Sequence, residues 1–373
     1  MNNTKTPAQQ VAAAIARAPR TIFSIYSSPQ ETFSRLAKAC EEFDINEWDI
    51  YGEGGAVKIL ENQVRELLGT EDAAYFPSGI MAQQTALRIH TDRVGSKRVA
   101  LPNFSHLLVH EDDGPRIVHG FQFEMLTTGN QVATQDSLDN IPGKLGAILV
   151  ELPLRDAGCL LPTWDELVLL SKACRERGIP LHFDGARLWE SQPWFDRPLA
   201  DIAGLADSIY VSFYKGLGGL SGSILAGSAD FIKESRIWRH RLGGTVYHST
   251  AEVVSALVGL RDLLGQIPDT VQFAKDLAAA LPDCIRAQPL TPQTNHFLLY
   301  ARANPDDLNK NVLSQIETSG LAFSKAWRPA PVPGIAMTEL AIGSGATSIS
   351  VQEVAELLGK VVSDAEANLA KTK

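Results

Sequence analysis

Cysteine is scarce in this chain, and Cys40, Cys159, Cys174 and Cys284 stand too far apart for a zinc-ligand pattern or a disulfide framework. No metal site is expected, and the thiols read as reduced and structural. Basic blocks are missing too. With 34 Lys and Arg against 43 Asp and Glu, the net charge of −9 carries no positive stretch to offset it, which argues against nucleic acid and against an anionic membrane surface. No apolar run approaches the roughly 18 residues needed to span a bilayer. Residues 1–20 show an alanine-rich helical pattern without the apolar core of a signal peptide. The expectation is a cytoplasmic protein acting on a small molecule. A Gly-x-Gly-x-x-Gly turn between a first strand and helix is also absent, so a nicotinamide dehydrogenase ranks low.

What is present is a globular composition, 45% hydrophobic over 373 residues, long enough for two domains. Apolar β-rich runs alternate with amphipathic helical patterns through the middle of the chain, the signature of a parallel sheet covered by helices. Residues 73–76 read as a short strand ending at Pro77-Ser78-Gly79, and Ser78 is suited to cap the helix that follows. Residues 146–152 form a second apolar run, and Thr163-Trp164-Asp165-Glu166 is a capping-box sequence for a helix stopping at Gly178. Two further strands, 180–183 and 208–213, deliver Asp184 and Lys215. After a helical pattern over 249–264 the elements shorten, with strand-like runs at 295–301 and 334–342. The expected fold class is α/β: a large domain with a mainly parallel sheet, residues 46–250, and a smaller α+β domain, 251–373, that includes the linking helix and is joined by residues 1–45.

Ligands of parallel α/β sheets gather outside the carboxyl ends of the strands. There Asp184 follows one strand within His182-Phe183-Asp184-Gly185-Ala186-Arg187, and Lys215 follows the next within Ser212-Phe213-Tyr214-Lys215-Gly216-Leu217-Gly218-Gly219. They are 31 residues apart, the length of one strand-helix-strand crossover, so both can enter one crevice. The turn Pro77-Ser78-Gly79-Ile80 would offer backbone N–H groups at a helix N-terminus to an anion. His106 could stack on a flat ring and move protons. An amine, a carboxylate, an anion cup and a stacking face are what pyridoxal phosphate demands of a protein.

Together these segments resemble the threonine aldolase family, in the β-eliminating lyase-like group of fold-type I pyridoxal-phosphate enzymes. The likeness runs from about Tyr51 to Gly244. It rests on His182 to Leu188, on the Lys215-Gly216-Leu217-Gly218 turn with Gly222-Ser223, and on Tyr51-Gly52-Glu53, Pro77-Ser78-Gly79 with Met81-Ala82, Ser105-His106 with Glu111, and Leu242-Gly243-Gly244. The resemblance implies that Lys215 holds pyridoxal 5'-phosphate as a Schiff base, that Asp184 pairs with the pyridine nitrogen and that His106 stacks over the ring. It further implies that Ser78, Gly79 and Ile80 cup the phosphate, that Ser212 lies at the cofactor, and that Arg187 sits beside cofactor and substrate carboxylate. The implied reaction is cleavage of a β-hydroxy-α-amino acid to glycine and an aldehyde in a homo-oligomer, a dimer or tetramer. A β-eliminating lyase, or another enzyme removing the Cα proton, is the alternative; a cofactor-binding relative without turnover is a third reading.

Three departures bear on the reaction. Where the family commonly has Asn-Thr-His-Asn after a strand, this chain reads Leu152-Pro153-Leu154-Arg155, placing Leu154 where the family histidine nears the β-hydroxyl. Tyr247 stands where a phosphate-binding arginine is usual, and Glu339 where an arginine takes the substrate carboxylate. Arg328 or Arg155 is expected to supply the missing cation. In the rewritten stretch Phe23-Ser24-Ile25-Tyr26-Ser27-Ser28, Ser24 is retained as a substrate-binding candidate.

Overall fold

The structure is a computed structural model that describes residues 6–25 and 27–371, with side chains described through residue 367. It divides into two compact units, residues 27–265 and residues 1–26 with 266–373.

The larger unit is built on seven strands: β1 Asp72–Phe76, β2 Arg98–Pro102, β3 Gln122–Thr127, β4 Ala147–Glu151, β5 Leu181–Gly185, β6 Ser208–Ser212 and β7 Ser223–Gly227. Their spatial order is β1-β7-β6-β5-β4-β2-β3. β7 runs antiparallel to both neighbours, while β6, β5, β4, β2 and β3 pair in parallel. Every residue of β4, β5 and β6 is buried, as expected for parallel strands covered on both faces, and the antiparallel β7 is buried as completely. Their apolar runs are therefore nearly continuous, and the polar residues that interrupt them, such as His182 and Asp184, require partners.

β1 lies at the edge of the sheet, and side chains close its outer side. The Ala73 N–H donates to Asp72 Oδ1 at 2.8 Å and the Tyr75 N–H to Glu61 Oε1 at 2.9 Å. The Ala73 carbonyl accepts from Arg236 Nη2 at 2.8 Å and the Tyr75 carbonyl from Arg239 Nη1 at 2.6 Å. Arg236 also reaches Asp72 Oδ2 at 2.6 Å and Glu61 Oε2 at 3.1 Å.

The helices follow local rules. Ser78 caps the helix Gly79–Val94, its hydroxyl accepting from the Met81 N–H at 3.4 Å. Thr163 and Glu166 form the expected capping box of Trp164–Glu176, exchanging N–H···O bonds of 2.8 and 3.3 Å. Gly79 must be glycine, because a Cβ there would fall 2.1 Å from the Tyr210 hydroxyl.

In the smaller unit β8 Ile285–Gln288, β9 His296–Ala301, β10 Arg328–Pro329 and β11 Ala336–Ala341 make an antiparallel sheet in the order β10-β11-β9-β8. Its core joins Val11, Ile22 and Phe23 to Phe297, Leu299, Phe323, Trp327, Leu340 and Leu358, so the N-terminal stretch packs with the C-terminal part of the chain. The boundaries fall at 26/27 and 265/266 rather than at 45/46 and 250/251. The helix Pro29–Glu42 stays with the larger unit, where Arg261 Nη1 meets Glu42 Oε2 at 2.6 Å. The helix Thr250–Asp262 is tied there by Asp49, whose Oδ1 accepts from the Ser249 N–H at 2.8 Å and from Thr250 Oγ1 at 2.6 Å. No helix among the described residues is long and apolar enough to cross a membrane.

Candidate active site

The parallel pairing of β5 with β6 places the ends that carry Asp184 and Lys215 side by side. Asp184 closes β5 and is buried; its Oδ1 accepts from the Ala186 N–H at 2.9 Å, and its Oδ2 accepts from the side-chain amide of Gln83. Burial pushes its carboxyl upward, an effect opposed mainly by the charge of Lys215. Lys215 is driven in the complementary sense: burial lowers its ammonium, and the Asp184 carboxylate opposes that. Each charge favours the other, and desolvation disfavours both. A cationic ring nitrogen brought to Asp184 would restore the carboxylate, and a lysine with a lowered pKa offers more neutral amine for carbonyl chemistry.

Glu151 ends β4 directly beside Asp184 in the parallel register. Burial, reinforced by the Asp184 charge, pushes its carboxyl up to about 8. Its Oε1 accepts from the His106 backbone N–H at 2.6 Å, so a buried carboxyl fixes the residue expected to face the ring. The imidazole of His106 is itself held, with Nδ1 3.2 Å from the buried Glu111 Oε1. A carboxylate partner places the proton on Nδ1 in the neutral ring and leaves Nε2 as the basic nitrogen.

Past β1, the N-terminus of the helix Gly79–Val94 presents the N–H groups of Gly79 and Ile80 beneath Ser78, with the Ile80 side chain exposed. The dipole of a 16-residue helix favours an anion at that end. Arg187 begins the helix Leu188–Phe195, and its Nη1 lies 3.7 Å from Glu190 Oε1. Ser212 is fully buried and its hydroxyl donates to the Ala186 carbonyl at 2.8 Å. It joins the Asp184 turn to the Lys215 strand, and its proton is already committed.

The larger unit therefore brings together Ser78, Gly79, Ile80, His106, Asp184, Arg187, Ser212 and Lys215. Of the other three candidates, Ser24, half-buried beside Gly343, and Arg328, exposed on β10, belong to the smaller unit, whereas Arg155 lies in the larger one with its Nη1 3.0 Å from Asp156 Oδ1. Glu339, which stands where the family has an arginine, pairs with His296 Nδ1 at 3.2 Å across β9 and β11. Leu154 is buried, whereas Tyr247 is exposed and meets Tyr51 edge-on at 5.2 Å. Gln83, Glu151 and Glu190 were missed as site residues. Glu151 falls inside the apolar run 146–152, and Gln83 and Glu190 sit in helices where such residues are ordinarily solvated.

A family model described as beta-eliminating lyase matches residues 37–304. The chain belongs to that family. It is 29% identical over 269 residues to the probable low-specificity L-threonine aldolase 2 of Arabidopsis thaliana, covering 68% of this chain and 73% of that one. To the low specificity L-threonine aldolase of Escherichia coli K12 it is 26% identical over 266 residues, 69% of this chain and 78% of the relative. A solved structure from Listeria monocytogenes, provisionally described as an L-allo-threonine aldolase, superposes with a TM-score of 0.89 at 32% identity over 96% of this chain and 99% of that one. The fold extends further, to a serine palmitoyltransferase of Sphingomonas wittichii with a TM-score of 0.65 at 15% identity, over 91% and 85% of the two chains. The fold class is accordingly that of the fold-type I pyridoxal-phosphate enzymes, with a mostly parallel sheet and a small antiparallel one.

Proposed function

We propose that this chain is a pyridoxal-phosphate-dependent carbon–carbon lyase that cleaves a β-hydroxy-α-amino acid to glycine and an aldehyde. The observation that carries the reading is the buried Asp184 and the half-buried Lys215 on adjoining parallel strand ends, beside a helix N-terminus built for an anion. Likeness to threonine aldolases supports the choice of reaction.

The residues fit the cofactor: a lysine whose pKa is lowered, a buried carboxyl that a ring cation would ionise, free helix N–H groups and an oriented imidazole. When bound, pyridoxal phosphate supplies an electron sink for the bond broken at Cα. Lys215 would anchor the cofactor through its Nζ, Asp184 would hold the ring nitrogen in its protonated form, and the N–H groups of Gly79 and Ile80, with Ser78, would receive the phosphate. Arg187 takes the α-carboxylate. His106 Nε2 removes the β-hydroxyl proton, with Glu111 at Nδ1 stabilising the imidazolium that forms, because Leu154 cannot serve as a base.

In the same reading the chain is cytoplasmic and works as a homo-oligomer, a dimer or tetramer; the exposed aromatic rings of Trp48, Tyr51 and Tyr247 support an assembly. The experiment is a cofactor titration followed by product analysis. The protein should gain visible absorbance that Lys215→Ala lacks, and convert threonine to glycine and acetaldehyde. A protein that stays colourless overturns the cofactor, while a keto acid plus ammonia would assign the chain to β-elimination.

A further inference from the structure

Behind Asp184 a line of polar groups runs through the otherwise apolar interior. The Gln83 side-chain amide meets Asp184 Oδ2. Its Oε1 lies 3.1 Å from His182 Nε2, His182 Nδ1 lies 2.8 Å from Ser208 Oγ, and Ser208 Oγ lies 2.7 Å from His90 Nε2. His182 and Ser208 are fully buried neighbours across β5 and β6. Gln83 and His90 stand two turns apart on one face of the helix Gly79–Val94, so the helix touches the strands at both points. The far end is closed apolarly, His90 stacking on Phe231 at a centroid distance of 4.9 Å.

The donor inventory gives this line a direction. An ionised Asp184 can only accept, so Gln83 must turn its NH2 toward Asp184 and its Oε1 toward His182. His182 must then carry its proton on Nε2 and accept at Nδ1 from the Ser208 hydroxyl, whose oxygen accepts from His90 Nε2–H. Both imidazoles can hold these neutral forms, because burial lowers His182 and His90 to about 3. A proton on Asp184 Oδ2, donated to Gln83, would reverse every bond in the series.

We propose that Gln83, His182, Ser208 and His90 form a one-way hydrogen-bond chain that orients the ionised Asp184 toward the ring nitrogen of the cofactor. The four are positioning residues, and the inference rests on the cofactor reading above. Their function is to supply a buried carboxylate with a fixed donor that leaves its remaining lone pairs for the ring. A hydrogen bond to a charged group is worth about 1.5–3 kcal/mol, so Gln83→Leu should weaken pyridoxal-phosphate binding roughly 10- to 100-fold.

The test uses the full-length protein loaded with pyridoxal phosphate. Histidine side-chain 15N NMR should show His182 as the Nε2–H tautomer, and an Nδ1–H tautomer would overturn the chain. In a double-mutant cycle read by cofactor affinity, Gln83→Leu should lower affinity in the wild-type background and change nothing in Asp184→Asn. Equal losses in both backgrounds would mean that Gln83 acts on the fold and not through Asp184, which also overturns the proposal. A colourless wild type overturns the cofactor and the purpose of the chain together, whereas a coloured protein with the wrong tautomer overturns the chain alone.

Discussion

The carboxyl of Glu190 lies against the backbone of Gly216, so close that a Cβ on residue 216 would fall 2.2 Å from Oε1. Gly216 follows Lys215 directly, and Glu190 is fully buried with neither oxygen hydrogen-bonded. The turn that aims the lysine therefore rests on an acid. Gly216→Ala should lift that turn, costing about 1–3 kcal/mol of stability and reducing cofactor-derived visible absorbance. The double variant Gly216→Ala/Glu190→Ala should recover both losses. Thermal denaturation and a pyridoxal-phosphate titration of the wild type and the two variants decide the matter; a double variant as impaired as Gly216→Ala would break the link between the two residues.

Glu151 makes a prediction about pH. Its carboxyl is raised from 4.5 to about 8 by burial and by Asp184, so the folded protein binds a proton that the unfolded chain releases earlier. That contribution to stability is complete below pH 4.5 and is lost as pH climbs through about 8. Glu151→Gln keeps an oxygen for the His106 N–H but has no proton to lose. It should match wild type near pH 5 and be the more stable protein near pH 9, as read by urea denaturation across that range.

Arg236 should be costly to remove. It pairs with Asp72 and with Glu61, whose side chain is only 7% exposed. Burial already raises the Glu61 carboxyl, and Arg236 is the leading opposing influence. Arg236→Ala should therefore destabilise by about 3–5 kcal/mol, with Glu61→Gln in the same background restoring part of the loss. Denaturant titration at neutral pH measures both, and a loss under about 1 kcal/mol would place this network among ordinary surface ion pairs.

The substrate carboxylate yields a comparison among arginines. Arg187→Ala should raise the KM for an amino-acid substrate at least tenfold, through loss of a charge-assisted bond worth about 1.5–3 kcal/mol. Arg328→Ala and Arg155→Ala, with Ser24→Ala beside them, test the remaining candidates under the same steady-state assay. An unchanged KM removes a residue from the list of carboxylate ligands.

The chemical ends of the strands were legible in sequence because each follows a local pattern. An apolar run, a carboxylate and a glycine sit at Asp184; an apolar run and a glycine-rich turn sit at Lys215; and a cap precedes a helix at Ser78. The chain behind Asp184 was not legible, since Gln83 and His182 meet across 99 residues and a glutamine within a helix carries no mark of burial. β2 and β3 were passed over because Arg98, Gln122 and Glu124 interrupt their apolar patterns, Arg98 pairing with Glu124 at 2.8 Å across the two strands. The antiparallel sense of β7 was equally hidden, as strand direction depends on a partner and not on composition. Domain boundaries moved because the helix Thr250–Asp262 is held by Asp49, a contact some two hundred residues away in the chain.

Side chains from Asp72, Glu61, Arg236 and Arg239 occupy each outward-facing amide and carbonyl of Ala73 and Tyr75. A second polypeptide could not add itself to the sheet there as a further strand, because no backbone group is left to bind it. Copies of this chain that associate at that edge must do so through side-chain surfaces, and the sheet cannot lengthen into a fibre from it.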